Sequence, residues 1–231
     1  MRRPEGTPPP DAGPTSAQPR PPRYGRYLWL LAVVIIVLLT INRSLSSSGQ
    51  TGVRPGRVIP AFALPLASGN VNGDANVATH ANDGSAGSRP ACQVRGSGIL
   101  NVCELYEGAP LVLALFVDAS SCPAVVGEMQ ALSASYPEVR FAAVAIKGQR
   151  QRLRMLIAAR GLTGVQVGFD RDGVLASLYE VVSCPQVTFV LPGGAAESRP
   201  LLSTPTLAAL RARVNELVAA AKARGWRAPA R

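Results

Sequence analysis

The segment Leu111–Val117 constrains the fold most strongly, because it is a run of seven apolar residues without a polar position. A strand that faces water on one side alternates apolar and polar residues, so an unbroken run indicates a strand covered on both faces. Apolar residues at helical spacing follow over 123–136, and a second apolar strand, Arg140–Ile146, comes after them. This order predicts an α/β domain built around a buried sheet.

The rest of the chain continues the alternation. Residues 149–160 predict a helix that ends at Gly161, since glycine readily adopts the left-handed conformation found at helix ends. Further elements are predicted in the order strand, short helix, strand, edge strand and amphipathic helix, over 165–169, 174–179, 186–191, 199–202 and 204–224. The order βαβα followed by ββα predicts a mixed sheet flanked by helices, as in the thioredoxin fold.

The N-terminal region has a different character. Residues 1–26 contain eight prolines and five arginines and almost nothing apolar, which predicts a disordered tail. Fifteen residues without a charge follow, over 27–41. As a helix this run covers about 22 Å of a hydrocarbon core of about 30 Å, and Arg26 and Arg43 can extend that span by snorkelling. We therefore predict a single transmembrane helix over 27–43.

Two alternatives to this anchor stay open, a cleaved signal peptide and a buried helix of a soluble protein. The run lacks a small-residue cleavage site behind it and lacks a polar face. The excess of arginine before the run predicts a cytoplasmic N-terminus and, behind a linker over 44–57, an extracytoplasmic domain in a bacterial cell membrane. Disulfides persist in that compartment.

The net charge of +10 raises the question of nucleic-acid binding. That function requires a basic stripe with interleaved aromatic residues, whereas here the arginines are scattered and aromatic residues make up 5% of the chain. We predict no nucleic-acid partner.

Residues 69–103 depart from the pattern of alternating elements, and the Asn-, Gly-, Ala- and Ser-rich part of them reads as a loop insertion. Cys92 and Cys103 flank a turn signal over 95–98, which predicts a hairpin closed by a disulfide. These two cysteines and the lone His80 lack the spacing and the fourth donor of a zinc site, so we predict no metal. His80 is interpreted as a solvated loop residue.

Cys122 is the candidate reactive residue, because it lies between a buried strand and the start of a helix. The free N–H groups and the dipole at a helix N-terminus stabilise a thiolate. The alternative is that Cys122 is a small buried apolar residue without chemistry.

Several motifs occur in order along residues 58–220 and together resemble the TlpA-like thiol–disulfide oxidoreductases, of the redoxin branch of the thioredoxin-fold superfamily. The matching segments are 59–65, 104–110, 116–132, 169–173, 178–181 and 184–189. The resemblance implies a thioredoxin-like domain over 58–224, followed by a short tail over 225–231.

The resemblance also implies roles for individual residues. Cys122 matches the first cysteine of the family's CxxC motif, Glu128 matches its acidic residue, and Pro185 matches its cis-proline. Val125, however, stands where the second cysteine is expected, and Ser121 replaces the tryptophan before the motif. The motif is therefore degenerate.

Because the segment before the cis-proline approaches the first cysteine in this fold, we predict that Cys184 pairs with Cys122. The alternatives are that Cys122 and Cys184 form a permanent structural disulfide or that they form no bond. If Cys122 and Cys184 form a reactive pair, Cys122 is the nucleophile and Cys184 is the resolving thiol. Glu128 either tunes the ionisation of the thiol and relays protons or is a solvated helix residue, and Pro185 shapes the substrate groove.

The leading prediction is thus a membrane-anchored oxidoreductase that acts on protein thiols and disulfides outside the cytoplasm, supplied by an electron donor in the membrane. It needs no cofactor. The main alternative is a catalytically inactive thioredoxin-like binding module. A peroxide-reducing redoxin comes third, because Ala119 replaces the hydroxyl residue of the peroxidase motif.

Overall fold

The computed structural model describes residues 25–46, 52–71, 89–119 and 121–228 of the 231-residue chain. The tail predicted over 1–24, residues 47–51 of the linker, most of the insertion (72–88, with His80) and the last three residues lie outside this range. The chain divides into two compact units, Met1–Gly49 and Gln50–Arg231.

The first unit contains one helix, α1 (Gly25–Ser46), in its described part, and this helix includes the uncharged run. No helix in the described ranges is both long enough and apolar enough to cross a membrane.

The second unit contains a four-stranded mixed sheet and a two-stranded sheet. The strands are β1 (Ala63–Pro65), β2 (Ile99–Asn101), β3 (Leu111–Val117), β4 (Arg140–Ile146), β5 (Gln166–Asp170) and β6 (Gln186–Val190). The helices are α2 (Val102–Glu107), α3 (Ala124–Ser133), α4 (Arg150–Arg160), α5 (Val174–Leu178) and α6 (Leu207–Ala223), with a 3-10 turn at Ala91–Gln93. The larger sheet has the order β5-β4-β3-β6, in which only β6 runs antiparallel to its neighbour.

Strand β3 lies in the interior of this sheet, and six of its seven residues are buried. Val112, Ala114 and Phe116 belong to a core with α3 and α6, while the alternate residues of the strand belong to a second core with α2 and α5. The unbroken apolar pattern therefore arises because both faces of β3 are covered. The predicted mixed sheet flanked by helices is confirmed.

Two helix boundaries follow directly from local chemistry. Helix α4 ends at Gly161, which has a φ of 58° and occupies the left-handed region. Helix α5 begins where the buried Asp170 carboxylate accepts the N–H groups of Gly173 and Leu175, at 2.9 and 2.7 Å. These contacts satisfy N–H groups that the helix itself leaves unpaired.

The predicted edge strand over 199–202 is not a strand in the structure. Only Leu201 pairs there, through two backbone hydrogen bonds with Val187. Pro200 lacks an N–H group and cannot extend the ladder, so the pairing stops at a single bridge.

The segment over 89–103 is more regular than a loop insertion. Strand β2 pairs antiparallel with β1, with Leu64 opposite Leu100, and α2 begins immediately after β2. The predicted hairpin is corrected accordingly, since Cys92 lies in the 3-10 turn and Cys103 lies in α2. Asn101 favours the start of a helix here, because its side chain accepts the N–H groups of Cys103 and Glu104.

Candidate active site

The pairing of β3 with β6 brings the two candidate cysteines to one edge of the sheet. The antiparallel register ends with Leu115 opposite Gln186, so the chain leaving β3 meets the chain entering β6. Cys122 follows β3 and Cys184 precedes β6. The structure joins them in a disulfide, with their Cα atoms 5.6 Å apart and a sequence separation of 62.

Cys184 is fixed against the end of β3 by its neighbours. The peptide bond between Cys184 and Pro185 is cis, at the position that the sequence resemblance implies. The backbone N–H of Val117 donates to the sulfur of Cys184 at 3.2 Å. Sulfur is a weak acceptor, but this contact becomes stronger when the sulfur is charged.

Cys122 lies two residues before the first residue of α3. Cys122 is 8% exposed and belongs to the hydrophobic core beneath α3. Cys184 is partly exposed and packs against that core. The two residues of this bond therefore differ in burial.

The two departures from the CxxC pattern occupy different environments. Val125 is fully buried in the core, while Ser121 is exposed. A second thiol is absent from the first turn of α3, so Cys184 supplies the partner that the motif lacks.

Glu128 is partly buried on α3 and has no hydrogen bond or ion pair with any residue in the described ranges. Its predicted influence on the thiol stays a prediction. A different charged pair lies near the end of β3, where Asp118 contacts Arg152 of α4 with 3.0 Å between Oδ2 and Nε. Sequence reasoning missed this pair, although the position of Asp118 directly after the buried strand offered a signal.

Three exposed apolar residues lie on the segments that adjoin Cys184, and we call them the apolar rim: Val117, Val182 and Leu202. They are 37%, 63% and 37% exposed, respectively. Val117 contacts the cysteine sulfur through its N–H, and the hydroxyl of Ser183 donates to the carbonyl of Leu202. The rim offers an apolar contact surface next to the disulfide.

The second disulfide joins Cys92 and Cys103, with their Cα atoms 5.4 Å apart. Cys103 is 2% exposed. The side chain of Asn101 donates to the carbonyls of Ala91 and Val94, both at 2.9 Å, and also caps α2. Asn101 thus ties together the two segments that the disulfide links.

Metal ligands do not cluster in the described ranges, where no group of three or more His, Cys, Asp or Glu residues is arranged to hold an ion.

Solved structures with a similar fold include two proteins described as thiol–disulfide exchange proteins. A protein disulfide isomerase from Bacteroides thetaiotaomicron aligns with a TM-score of 0.55 and 12% identity, over 77% of this chain and 99% of that one. A thiol:disulfide interchange protein DsbE from Chlorobium tepidum aligns with a TM-score of 0.52 and 17% identity, over 73% and 98%. The peroxidoxin BcpB from Mycobacterium tuberculosis aligns at 0.52 and 11%, over 72% and 97%.

At these identities the likeness establishes the fold alone, and the predicted thioredoxin-like fold is confirmed. No protein-family profile and no curated protein sequence matches the chain.

Proposed function

We propose that this protein is a thiol–disulfide oxidoreductase whose redox centre is the Cys122–Cys184 pair. The observation that carries the proposal is the position of this disulfide, at the start of α3 and next to a cis-proline, with a backbone N–H donating to one of its sulfurs. Exposed apolar residues lie on the segments that adjoin it. A disulfide that serves only stability requires neither feature.

The exchange proceeds in two steps and needs no cofactor. A thiolate attacks one sulfur of the pair, forms a mixed disulfide and releases the other cysteine as a thiolate. A second thiolate then attacks the mixed disulfide, so two electrons pass between the protein and its partner. The direction is set by the reduction potential of the partner relative to that of the pair.

We extend the proposal to the location of the site. Residues 27–43 anchor the chain in a cell membrane with its N-terminus in the cytoplasm, and the redox domain acts on protein thiols and disulfides on the other side. The arginine excess before the apolar run and the pairing of all four cysteines support this arrangement. A membrane electron donor would supply the pair.

A catalytically inactive binding module is the second candidate. The burial of Cys122 and the loss of the CxxC cysteine at Val125 favour it, because both oppose rapid exchange. In that case the Cys122–Cys184 bond is a structural staple and the apolar rim is the binding surface.

Reduction of the two disulfides across a glutathione series separates these candidates. The full chain is equilibrated at each potential, thiols are alkylated, and peptide mass spectrometry assigns them. We expect Cys122–Cys184 to open at a mild potential while Cys92–Cys103 stays closed and the circular dichroism spectrum stays that of the folded protein. If Cys122–Cys184 opens only when the protein unfolds, the oxidoreductase proposal is wrong and the binding module replaces it.

A further inference from the structure

We propose that Cys184, rather than Cys122, is the sulfur that exchanges with the substrate, and that Cys122 is the resolving thiol. This inference rests on the oxidoreductase function proposed above. It reverses the roles that the sequence resemblance implies for the two cysteines.

Access to the two sulfurs is the first observation. Cys122 is 8% exposed and is a member of the core beneath α3, together with the fully buried Val125 and Val126. Cys184 is partly exposed, at the edge of the same core. Because thiol–disulfide exchange requires the attacking sulfur to reach its target, the substrate meets Cys184 first.

The apolar rim is the second observation. Its members are attached to the segments around Cys184, since Val117 donates its N–H to that sulfur and Val182 lies two residues before it. Leu202 is held by the hydroxyl of Ser183, the residue that precedes Cys184. A polypeptide that contacts these residues therefore lies closer to Cys184 than to the buried Cys122.

Thiolate stabilisation is the third observation, and it differs between the two residues. The N–H of Val117 points at the sulfur of Cys184 and favours its charged, nucleophilic form. Cys122 lies just before α3, where the helix dipole stabilises a departing thiolate. Stabilisation of the leaving thiolate speeds exchange, so attack at Cys184 with release of Cys122 is the favoured step.

The balanced reaction follows from these positions. In the oxidised protein a substrate thiolate attacks Cys184, a substrate–Cys184 bond forms, and the Cys122–Cys184 bond breaks with its electron pair on Cys122. A second substrate thiolate then attacks the substrate sulfur, a substrate disulfide forms, and Cys184 leaves as a thiolate. In the opposite direction the Cys184 thiolate attacks a substrate disulfide, and Cys122 then attacks Cys184 and releases the second substrate thiolate.

Two matched variants of the full chain test the assignment, C122S and C184S. Each keeps one cysteine of the pair and keeps Cys92–Cys103. After mild reduction, each is mixed with dithiobis(nitrobenzoate), and the released nitrothiobenzoate is followed by absorbance while peptide mass spectrometry locates the adduct. We expect C122S, which retains Cys184, to react at least tenfold faster than C184S under native conditions and at an equal rate in denaturant.

A measurement on the wild-type chain removes any dependence on how the variants fold. The reduced protein receives a short pulse of iodoacetamide, is quenched with acid, and the labelled fraction of each cysteine is determined. Preferential labelling of Cys184 supports the inference, and preferential labelling of Cys122, or a faster C184S variant, overturns it. Both of these results leave the oxidoreductase proposal intact, because that proposal fails only when the pair cannot be reduced in the folded protein.

Discussion

The two disulfides of this domain have similar spans and different surroundings. Their Cα separations are 5.4 Å for Cys92–Cys103 and 5.6 Å for Cys122–Cys184. The first closes a short segment of 11 residues, and the second links segments 62 residues apart. In a chain-entropy estimate, closing these loops contributes about 3 and about 4 kcal/mol to stability. Both disulfides are therefore expected to stabilise the fold, and neither the Cα separation nor the loop length shows which of them is reactive.

The neighbours of each bond are the basis of the assignment that we propose. Cys92–Cys103 is accompanied by Asn101, whose side chain holds both linked segments, and Cys103 is buried in the core formed with α2 and α5. Each bond joins a buried cysteine to a partly exposed one, so burial does not separate them. Cys122–Cys184 differs in the N–H donor from Val117 and in the apolar rim. These two features, rather than exposure or the link itself, distinguish the disulfide that we propose to be reactive.

The largest expected effect is on exchange. Replacing Cys184 with Ala should lower the rate of reduction of a disulfide-bonded reference peptide at least 100-fold, about 2.7 kcal/mol in activation free energy, because the pair can no longer form. The rate is measured with excess dithiothreitol as electron donor, after subtraction of the uncatalysed reaction. A C184A variant that keeps its rate would assign the exchange to another thiol.

The matched change at the other disulfide should affect stability instead. The double variant C92A/C103A is expected to lose about 3 kcal/mol of unfolding free energy, the value for a loop of this length. Urea denaturation measures this loss. Its exchange rate at low temperature, where it stays folded, should remain within threefold of the wild type, and a larger drop would show that the two disulfides are coupled.

Asn101 tests whether side-chain hydrogen bonds support the structural disulfide. Asn101 is 2% exposed, and an alanine there would remove its hydrogen bonds to the carbonyls of Ala91 and Val94 and to two helix N–H groups. We expect N101A to lose about 2 kcal/mol and to make Cys92–Cys103 easier to reduce. If Cys92–Cys103 is reduced equally easily in N101A and in wild type, the hydrogen bonds of Asn101 do not support the disulfide.

The smallest expected effect is a dependence of stability on pH, and it arises from Tyr179 on the same side of the sheet as Cys103. Tyr179 is fully buried in the core that contains Cys103, and its hydroxyl donates to the carbonyl of Pro60 at 2.7 Å. Burial raises the pKa of Tyr179 well above its ordinary value, with a further contribution from Tyr106. In the unfolded chain tyrosine ionises near pH 10, so the folded protein should lose stability as the pH rises above about 10.

A Y179F variant isolates this contribution. It should be about 1 kcal/mol less stable than wild type near neutral pH, because one buried hydrogen bond is lost, and its stability should fall less steeply above pH 10. Denaturation curves between pH 7 and about 11 measure both effects. Identical slopes for the two proteins would exclude Tyr179 as the source.

Much of the fold was predictable because its signals are local. The seven residues of β3 are apolar without interruption, Gly161 ends α4, and the β3–α3 junction places Cys122 at a helix start. Helix α2 and strand β2 were missed, since the signal for them is the single capping residue Asn101 within a segment that otherwise reads as a loop.

The candidate site was predictable only in part. The sequence resemblance led to Cys122, Cys184 and Pro185, and the structure brings these three together. The resemblance did not point to the N–H donor of Val117, because this donor is a main-chain group and the residue type therefore gives no signal for it. The apolar rim was missed for a related reason, since its three members come from segments far apart in sequence.

By itself, the sequence determined the order of strands and helices, the uncharged run over 27–41 and the presence of four cysteines, because each depends on residue type and local spacing. The tertiary structure decided the pairing of Cys122 with Cys184, the unequal burial of the two residues and the contact between Val117 and Cys184. Those features depend on the antiparallel register of β3 and β6, which is a long-range interaction set by packing on both faces of the sheet.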